Sequence, residues 1–173
     1  MTASTTLERP LPELLDWLAK HGVDHEIHEH EPAFTATATA RAEGVDPLTF
    51  AKVVGVRTDD GRSALVVLDA TDHVDLHKAR RALQATDARL LTEAELTALV
   101  PVCEVGAMPA VGTLFGLPTL ADHAVRDDAA ISFNAGSHRF SCRVDRPAWE
   151  RAVGVAYADF AIESDARPAW ARS

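Results

Sequence analysis

The spacing of apolar residues changes several times along the chain, and turn residues separate the blocks. "PELLDWLAKHG" places Leu14, Leu15, Trp17 and Leu18 on one helical stripe, with Gly22 as its stop. "TATATARAEG" predicts a helix ending at Gly44, although its alternating threonines would also suit a strand. Thr92 and Glu95 have capping-box spacing at the start of a further helix. Other predicted helices are "DLHKARRALQA" and "RPAWERAVG", and the predicted short strands are "VDHEIH", "PTLAD", "AAISFN" and "HRFSCRV".

Two longer strands form the clearest pair. "LTFAKVVGVRT" and "SALVVLDA" flank "DDGR", in which Asp60-Gly61 is a strong hairpin signal. Strands outnumber the crossovers that a parallel sheet needs, so the pattern predicts an α+β fold with a mixed, largely antiparallel sheet. We expect a single domain over residues 11–160, with tails at 1–10 and 161–173.

Length and composition describe a globular chain with a true core. It has 173 residues and is 47% hydrophobic. No stretch approaches the roughly 18 to 20 apolar residues of a membrane span, and the first residues lack the pattern of a signal peptide. These features predict a cytoplasmic protein without membrane contact. Cys103 and Cys142 have no paired spacing, which favours free thiols.

The charge balance limits nucleic-acid binding. A net charge of −9 argues against a DNA-binding protein or one that holds many phosphates. Arg80, Arg81 and Arg89 could form a mildly basic patch, but the interspersed acids favour an ordinary solvated surface. Any nucleic-acid contact is expected to be small and weak.

Lys52 stands inside an apolar strand pattern, "TFAKVVGV", in a chain with three lysines and fourteen arginines. Alternation places Phe50, Lys52, Val54 and Val56 on one face of that strand, and Ala51, Val53 and Gly55 on the other. A buried ammonium is costly without a negative partner, so Lys52 is a candidate anion-binding residue. The alternative is a lysine whose stem lies along an edge while its ammonium reaches water.

Two further stretches suggest chemistry. In "VGAMPAVG", Gly106 and Gly112 permit close backbone approach, and exposed N–H groups on such a loop would suit an anion or a developing oxyanion. The alternative is an ordinary Gly/Pro connection. "FNAGSH" predicts a strand end at Asn134 and a turn at Gly136, followed by Ser137 and His138. A surface hairpin turn explains these letters about as well.

These stretches, together with "HEHEPAFT", "DHVDLHKARRAL" and "GLPTLAD", resemble the YbaK/prolyl-tRNA synthetase-associated editing domains, a family of aminoacyl-tRNA deacylases. The resemblance runs from about Trp17 to Trp149. It implies a curved sheet flanked by helices and hydrolysis, in trans, of the ester that joins a wrong amino acid to tRNA. Alanine, serine or cysteine are the amino acids implied. No cofactor or metal is implied, and an aminoacyl-tRNA synthetase is a possible partner.

The resemblance also assigns residues. Lys52 would meet the phosphate of the terminal adenosine or nearby oxygens, and the backbone from Gly106 to Pro109 would bind the aminoacyl end. His138 is the best general-base candidate, since its unperturbed pKa of about 6.5 suits neutral pH. A ribose hydroxyl of the substrate could assist the attack instead. The predicted catalytic residues are Lys52, Gly106 and His138, and the predicted substrate-binding residues are Thr35, Ala107, Met108, Pro109, Gly112, Asp122, Asn134, Gly136 and Ser137.

Two departures from the family pattern affect selectivity. Many relatives have Thr where this chain has Val53, and Pro-Phe where it has Ala110-Val111. The first removes a hydroxyl and the second an aromatic wall. We expect catalysis to survive both, with an altered preference among amino acids.

Three other interpretations remain open on the sequence. His25, His28 and His30, with His73 and His77, could hold zinc, but no H-E-x-x-H motif is present. A non-catalytic module that binds an aminoacyl-tRNA end or a synthetase would retain the same residues. A cysteine nucleophile is least favoured, because no Cys–His arrangement is recognisable.

Overall fold

The computed structural model describes residues 7–162, which contain five helices and eight strands. The predicted hairpin and the predicted helices are present. Two strands of three residues each, at 88–90 and 156–158, were not predicted. The helices are α1 (Pro12–Lys20), α2 (Ala36–Glu43), α3 (Leu76–Ala82), α4 (Glu93–Leu99) and α5 (Arg146–Val153). The strands are β1 (His25–Glu29), β2 (Ala51–Thr58), β3 (Ser63–Asp69), β4 (Ala88–Leu90), β5 (Thr119–Asp122), β6 (Ala130–Ser137), β7 (Phe140–Asp145) and β8 (Ala156–Ala158).

Local capping fixes several helix ends. The Thr92 hydroxyl accepts the N–H of Glu95 at 3.1 Å, and the Glu95 carboxylate accepts the N–H of Thr92 at 3.0 Å, which confirms the predicted capping box. The Thr35 hydroxyl caps α2 by accepting the N–H of Ala38, and Gly44 ends the same helix at φ 75°. The strand alternative for "TATATARAEG" is therefore wrong.

The strands divide into two sheets, with orders β1-β7-β6 and β4-β2-β3-β5-β8. The pairs β3–β5 and β5–β8 are parallel, and the other neighbours are antiparallel. The α+β class and the largely antiparallel mixture are confirmed. The division into two sheets was not predicted.

The largest apolar core lies between the sheets, and the helical residues Leu14, Leu18 and Trp149 complete it. The alternation predicted for β2 is confirmed, because Ala51 and Val53 contact this core while Val54 and Val56 contact a second cluster with α3.

The two sheets meet at one point, where Phe50 forms a parallel bridge with Ser132 and the N–H of Ser132 donates to the Thr49 carbonyl at 3.0 Å. Two residues further along each chain stand Lys52 and Asn134. Side chains two apart on a strand share a face, so Lys52 and Asn134 occupy corresponding positions after this bridge. Beyond the junction the two strands separate into their own sheets.

The predicted tails are only partly described. Leu7 donates its N–H to the Glu104 carboxylate at 3.1 Å, and Ile162 donates its N–H to the His73 carbonyl at 2.8 Å. The described part of each predicted tail is thus bonded to the domain, while residues 1–6 and 163–173 lie outside the described part of the chain. None of the described helices has the length and apolar character to cross a membrane.

Candidate active site

An open cleft of about 410 Å³ lies where the two sheets separate. The start of α2 forms one wall of the cleft. Residues 70–73, which follow β3, and residues 104–108, here called the Gly106 loop, form other walls. Of the residues that the sequence predicted, this cleft brings together Thr35, Lys52, Gly106, Met108 and Asn134.

Lys52, the second residue of β2, lines this cleft and is half-buried. Burial lowers the pKa of its ammonium, and the buried carboxylate of Asp72 opposes that shift by favouring the charged form. Within residues 7–162 the ammonium has no hydrogen bond or salt bridge. By contrast, the Lys78 ammonium binds both Asp159 at 3.0 Å and the Ala161 carbonyl at 2.8 Å.

The Gly106 loop is held by backbone bonds on either side of the glycine. The N–H of Glu104 donates to the Gly136 carbonyl at 2.9 Å, the N–H of Gly136 donates to the Ala107 carbonyl at 2.9 Å, and the N–H of Ala107 donates to the Glu104 carbonyl at 3.0 Å. Gly106 itself is exposed at φ 83°, a conformation that favours glycine. Its N–H donates to no acceptor within the described residues, so the loop presents a free donor beside the cleft.

Asn134 also lines the cleft and is only 8% exposed. Its side-chain carbonyl oxygen is buried and has no hydrogen-bond partner among residues 7–162. The regular pairing of β6 with β7 breaks after Asn134, in a bulge that extends to Ser137. The cleft walls therefore carry an ammonium, a backbone N–H and a buried amide oxygen that form no hydrogen bond within residues 7–162.

The sequence over residues 30–152, more than half of the chain, matches the family described as the aminoacyl-tRNA editing domain. The chain belongs to this family. No curated protein matches the sequence significantly. The match confirms the resemblance found in the sequence and includes every predicted site residue.

Solved structures show the same fold. A candidate trans-editing enzyme for prolyl-tRNA synthetase superposes with a TM-score of 0.78 at 21% identity, covering 91% of this chain and 100% of the other. A hypothetical protein superposes with a TM-score of 0.79 at 17% identity, covering 87% of this chain and 99% of the other. A candidate signal transduction protein from Marinobacter aquaeolei VT8 superposes with a TM-score of 0.68 at 18% identity, covering 90% of this chain and 31% of that protein. The editing-domain fold thus also occurs as one part of a longer chain.

His138 does not line the cleft of this editing domain. Its Nε2 lies 2.7 Å from the Val105 carbonyl oxygen, and its Nδ1 lies 3.1 Å from the Ala33 carbonyl oxygen. A general base needs a free nitrogen lone pair directed at water or substrate, whereas both nitrogens here face backbone acceptors. This geometry argues against the predicted general-base role. The His138 ring instead connects the segment at Ala33 with the segment at Val105.

Asp122 and Gly112 also lie away from the cleft. The buried carboxylate of Asp122 accepts the N–H groups of Phe160 at 2.9 Å and Ala161 at 3.0 Å through one oxygen, and of Ala124 at 3.0 Å through the other. Gly112 donates its N–H to the Thr119 hydroxyl at 2.9 Å. A Cβ at Gly112 would stand 2.4 Å from the Leu117 carbonyl oxygen, so close packing accounts for this glycine. These contacts hold the fold and leave neither residue available to the cleft.

Gly136 and Ser137 support the site from behind. Gly136 adopts φ 87° inside the bulge of β6. The strand predicted to end at Asn134 continues to Ser137, and the turn predicted at Gly136 lies at 138–139 instead, so both predictions are wrong. The Ser137 hydroxyl donates to the Leu7 carbonyl at 3.2 Å and accepts the N–H of Arg139 at 3.1 Å. Both residues are buried and neither lines the cleft.

The residues after Gly106 turn into the core. Ala107 and Pro109 are buried and do not line the cleft, although Met108 does. The Ala110 carbonyl accepts the indole N–H of Trp149 at 2.7 Å, and Val111 is fully buried. Of the two family departures, only Val53 therefore stands on the cleft wall.

Several cleft residues were not predicted as site residues. Alanines and threonines have no chemical signature in a sequence, and His73 had been considered only as a metal ligand. A polar run directly after a buried strand, "DATDH", was the available signal. These additional lining residues are Ala36, Thr37, Ala51, Val53, Ala70, Thr71 and His73.

The zinc and cysteine interpretations gain no support. Within the described ranges no three His, Cys, Asp or Glu side chains lie close enough to hold a metal ion. His28 instead lies 3.4 Å from the Glu26 carboxylate. Cys103 and Cys142 are free, as predicted, and burial raises the pKa of each thiol to about 12, which suppresses the thiolate.

Proposed function

We propose that this editing domain hydrolyses, in trans, the ester bond of a mischarged aminoacyl-tRNA carrying a small amino acid such as alanine, serine or cysteine, without a metal ion. The observation that carries the proposal is the pair of unused groups in one cleft. The Lys52 ammonium makes no hydrogen bond or salt bridge within residues 7–162 and suits a substrate phosphate or a nearby oxygen; the Gly106 N–H, which donates to no acceptor in the same range, suits a developing oxyanion.

The chemistry requires little from side chains, since an aminoacyl ester is already activated. Water attacks the ester carbonyl carbon, and the electron pair of the C=O bond moves to oxygen, where the Gly106 N–H stabilises it. Collapse of the tetrahedral intermediate breaks the bond to the ribose oxygen, which leaves with a proton as the free hydroxyl. The products are the amino acid and uncharged tRNA. With His138 directed at backbone carbonyls, a neighbouring ribose hydroxyl is the better candidate to orient the water.

The cleft lining supports a small, uncharged amino-acid side chain. Ala36, Ala51, Ala70 and Val53 are short and apolar, and the described lining contains no carboxylate that would pair with a cationic side chain. The contact with the rest of the tRNA is expected to be weak at a net charge of −9. The neighbour described for prolyl-tRNA synthetase makes tRNA that accepts proline the first to test, with that synthetase as a possible partner.

Incubation with a panel of tRNAs charged with alanine, serine, cysteine or proline tests the proposal. We expect release of at least one small amino acid well above the uncatalysed rate, unchanged by a strong chelator. A loss that zinc restores would contradict the metal-free mechanism. Binding of charged tRNA without release would favour the non-catalytic module.

A further inference from the structure

The Asn134 side chain is the most unusual polar group of the cleft, because its carbonyl oxygen is buried and accepts no hydrogen bond from residues 7–162. Its residue is 92% buried, and no hydrogen bond to that oxygen exists within residues 7–162. Buried side-chain acceptors are normally satisfied, so an unsatisfied one beside a cleft calls for a donor from outside the protein. When the amide rotates toward the cleft, the oxygen loses no hydrogen bond to the described residues.

We propose that Asn134 accepts a hydrogen bond from the α-ammonium group of the bound amino acid, and so makes this editing domain selective for esters with a free amino group. The inference rests on the proposed function, because the ammonium belongs to the aminoacyl ester. An ammonium is a donor only, with three N–H groups, and therefore complements a carbonyl acceptor.

Asn134 is the buried acceptor among the polar side chains that line the cleft, since Thr35, Thr37, Thr71 and His73 are more exposed. Lys52 repels an ammonium, and the described lining contains no Asp or Glu that would attract one. The Thr35 hydroxyl already accepts the N–H of Ala38 and lies on an exposed surface, where water competes. Asn134 is buried, so bulk water competes less for its hydrogen bond.

The junction of the sheets sets the orientation. Lys52 and Asn134 each follow the Phe50–Ser132 bridge by two residues and line the same cleft. A substrate with phosphate or other negatively polarised oxygens at Lys52 and its ammonium at Asn134 would place the ester carbonyl between them, within reach of the Gly106 loop. The charge pattern of the cleft thus matches the order of groups along an aminoacyl nucleotide.

The test compares alanyl-tRNA with N-acetyl-alanyl-tRNA made from the same tRNA, on the wild type and on Asn134→Ala. Acetylation removes the ammonium and leaves the ester. We expect the wild type to prefer the free amine by about 10- to 100-fold in kcat/KM, the range of a charge-assisted hydrogen bond. Asn134→Ala should lose most of its activity on the free amine and little on the acetylated ester, so that its preference falls to a few-fold.

A steric effect of the acetyl group would persist in the variant, so only a collapse of the preference supports the inference. Ser132→Ala is the matched control, since Ser132 is a buried polar residue on the same strand whose hydroxyl already accepts from Arg143 at 3.0 Å. Its preference should equal that of the wild type. If Asn134→Ala does not fold, Asn134→Leu, with a similar side-chain volume, replaces it.

The outcomes separate this inference from the proposed function. Wild type that hydrolyses both esters equally, or an Asn134 variant that keeps the full preference, overturns the role of Asn134 while deacylation stands. Wild type that hydrolyses neither ester, nor any member of the charged-tRNA panel, overturns the proposed function itself.

Discussion

Asp122 and Asn134 are both buried polar residues on strands, yet their hydrogen bonding is opposite. The Asp122 carboxylate accepts three backbone N–H groups, whereas the Asn134 carbonyl oxygen accepts none within the described residues. Like Asn134, Lys52 and Gly106 have a polar group without a hydrogen bond in the described part of the chain. Like Asp122, Ser137 and Gly136 form hydrogen bonds within the fold. A polar group whose bonds the fold already uses stabilises the fold, while one left open beside a cleft is available to a ligand.

The largest expected effect concerns Gly106. Gly106→Val places a branched side chain at φ 83°, which strains the backbone and redirects the N–H that we assign to the oxyanion. Loss of an oxyanion donor costs on the order of 10²- to 10³-fold in rate, so deacylation should nearly disappear. Deacylation and the thermal midpoint should be measured on the same sample.

Gly61 provides the matched control for strain. It adopts φ 85° in the β2–β3 turn, and a Cβ there would meet no atom within 4 Å. Gly61→Val should therefore lose a similar amount of stability, about 1–2 kcal/mol, without losing activity. A folded and fully active Gly106→Val protein would exclude the oxyanion role.

Replacement of Lys52 should have the next largest effect. Lys52→Ala removes a charge-assisted contact to the substrate, worth about 1.5–3 kcal/mol, so deacylation should fall by roughly one to two orders of magnitude. Stability should stay the same or rise slightly, since burial disfavours the ammonium in the free protein, as its lowered pKa indicates.

Lys20→Ala is the control for the loss of a positive charge, because Lys20 is exposed in the last turn of α1. It should behave as the wild type in both assays. Activity of Lys52→Ala within twofold of the wild type would remove Lys52 from the mechanism.

The sequence predicts what is local and misses what depends on distant partners. The capping box at Thr92 and the stop at Gly44 involve residues within one turn, so both were predictable. Strands β4 and β8 have three residues each and exist through pairing with β2 and β5, which no local pattern specifies.

The same distinction applies to the site. Lys52 stands out because a charge interrupts an apolar run, and that signal is local. The structural role of Asp122 depends on its hydrogen bond with Phe160, 38 positions away. That of Ser137 depends on its hydrogen bond with Leu7, 130 positions away. Family resemblance identified the right segments, but only the folded chain separates the residues that face the cleft from those that support it.

Replacement of Asp122 should lower stability and leave activity unchanged, the opposite of what we expect for Lys52. Asp122→Ala leaves the buried N–H groups of Phe160 and Ala161 without their acceptor, which should destabilise the protein by about 1–3 kcal/mol. Denaturant unfolding measures this change. The rate of deacylation per folded molecule should remain close to that of the wild type, and a large fall in a fully folded sample would return Asp122 to the substrate pocket.

The smallest effect is expected at Ser137, where a neutral hydrogen bond joins the β6–β7 hairpin to the chain before α1. Ser137→Ala removes the donor to the Leu7 carbonyl and the acceptor for the Arg139 N–H, so we expect a loss of about 0.5–1.5 kcal/mol in the free energy of unfolding. Because the hydroxyl lies behind the cleft, kcat and KM should both stay within twofold of the wild type. A raised KM with unchanged stability would mean that Ser137 contacts substrate, and the division between groups used by the fold and groups left for a ligand would then fail at this residue.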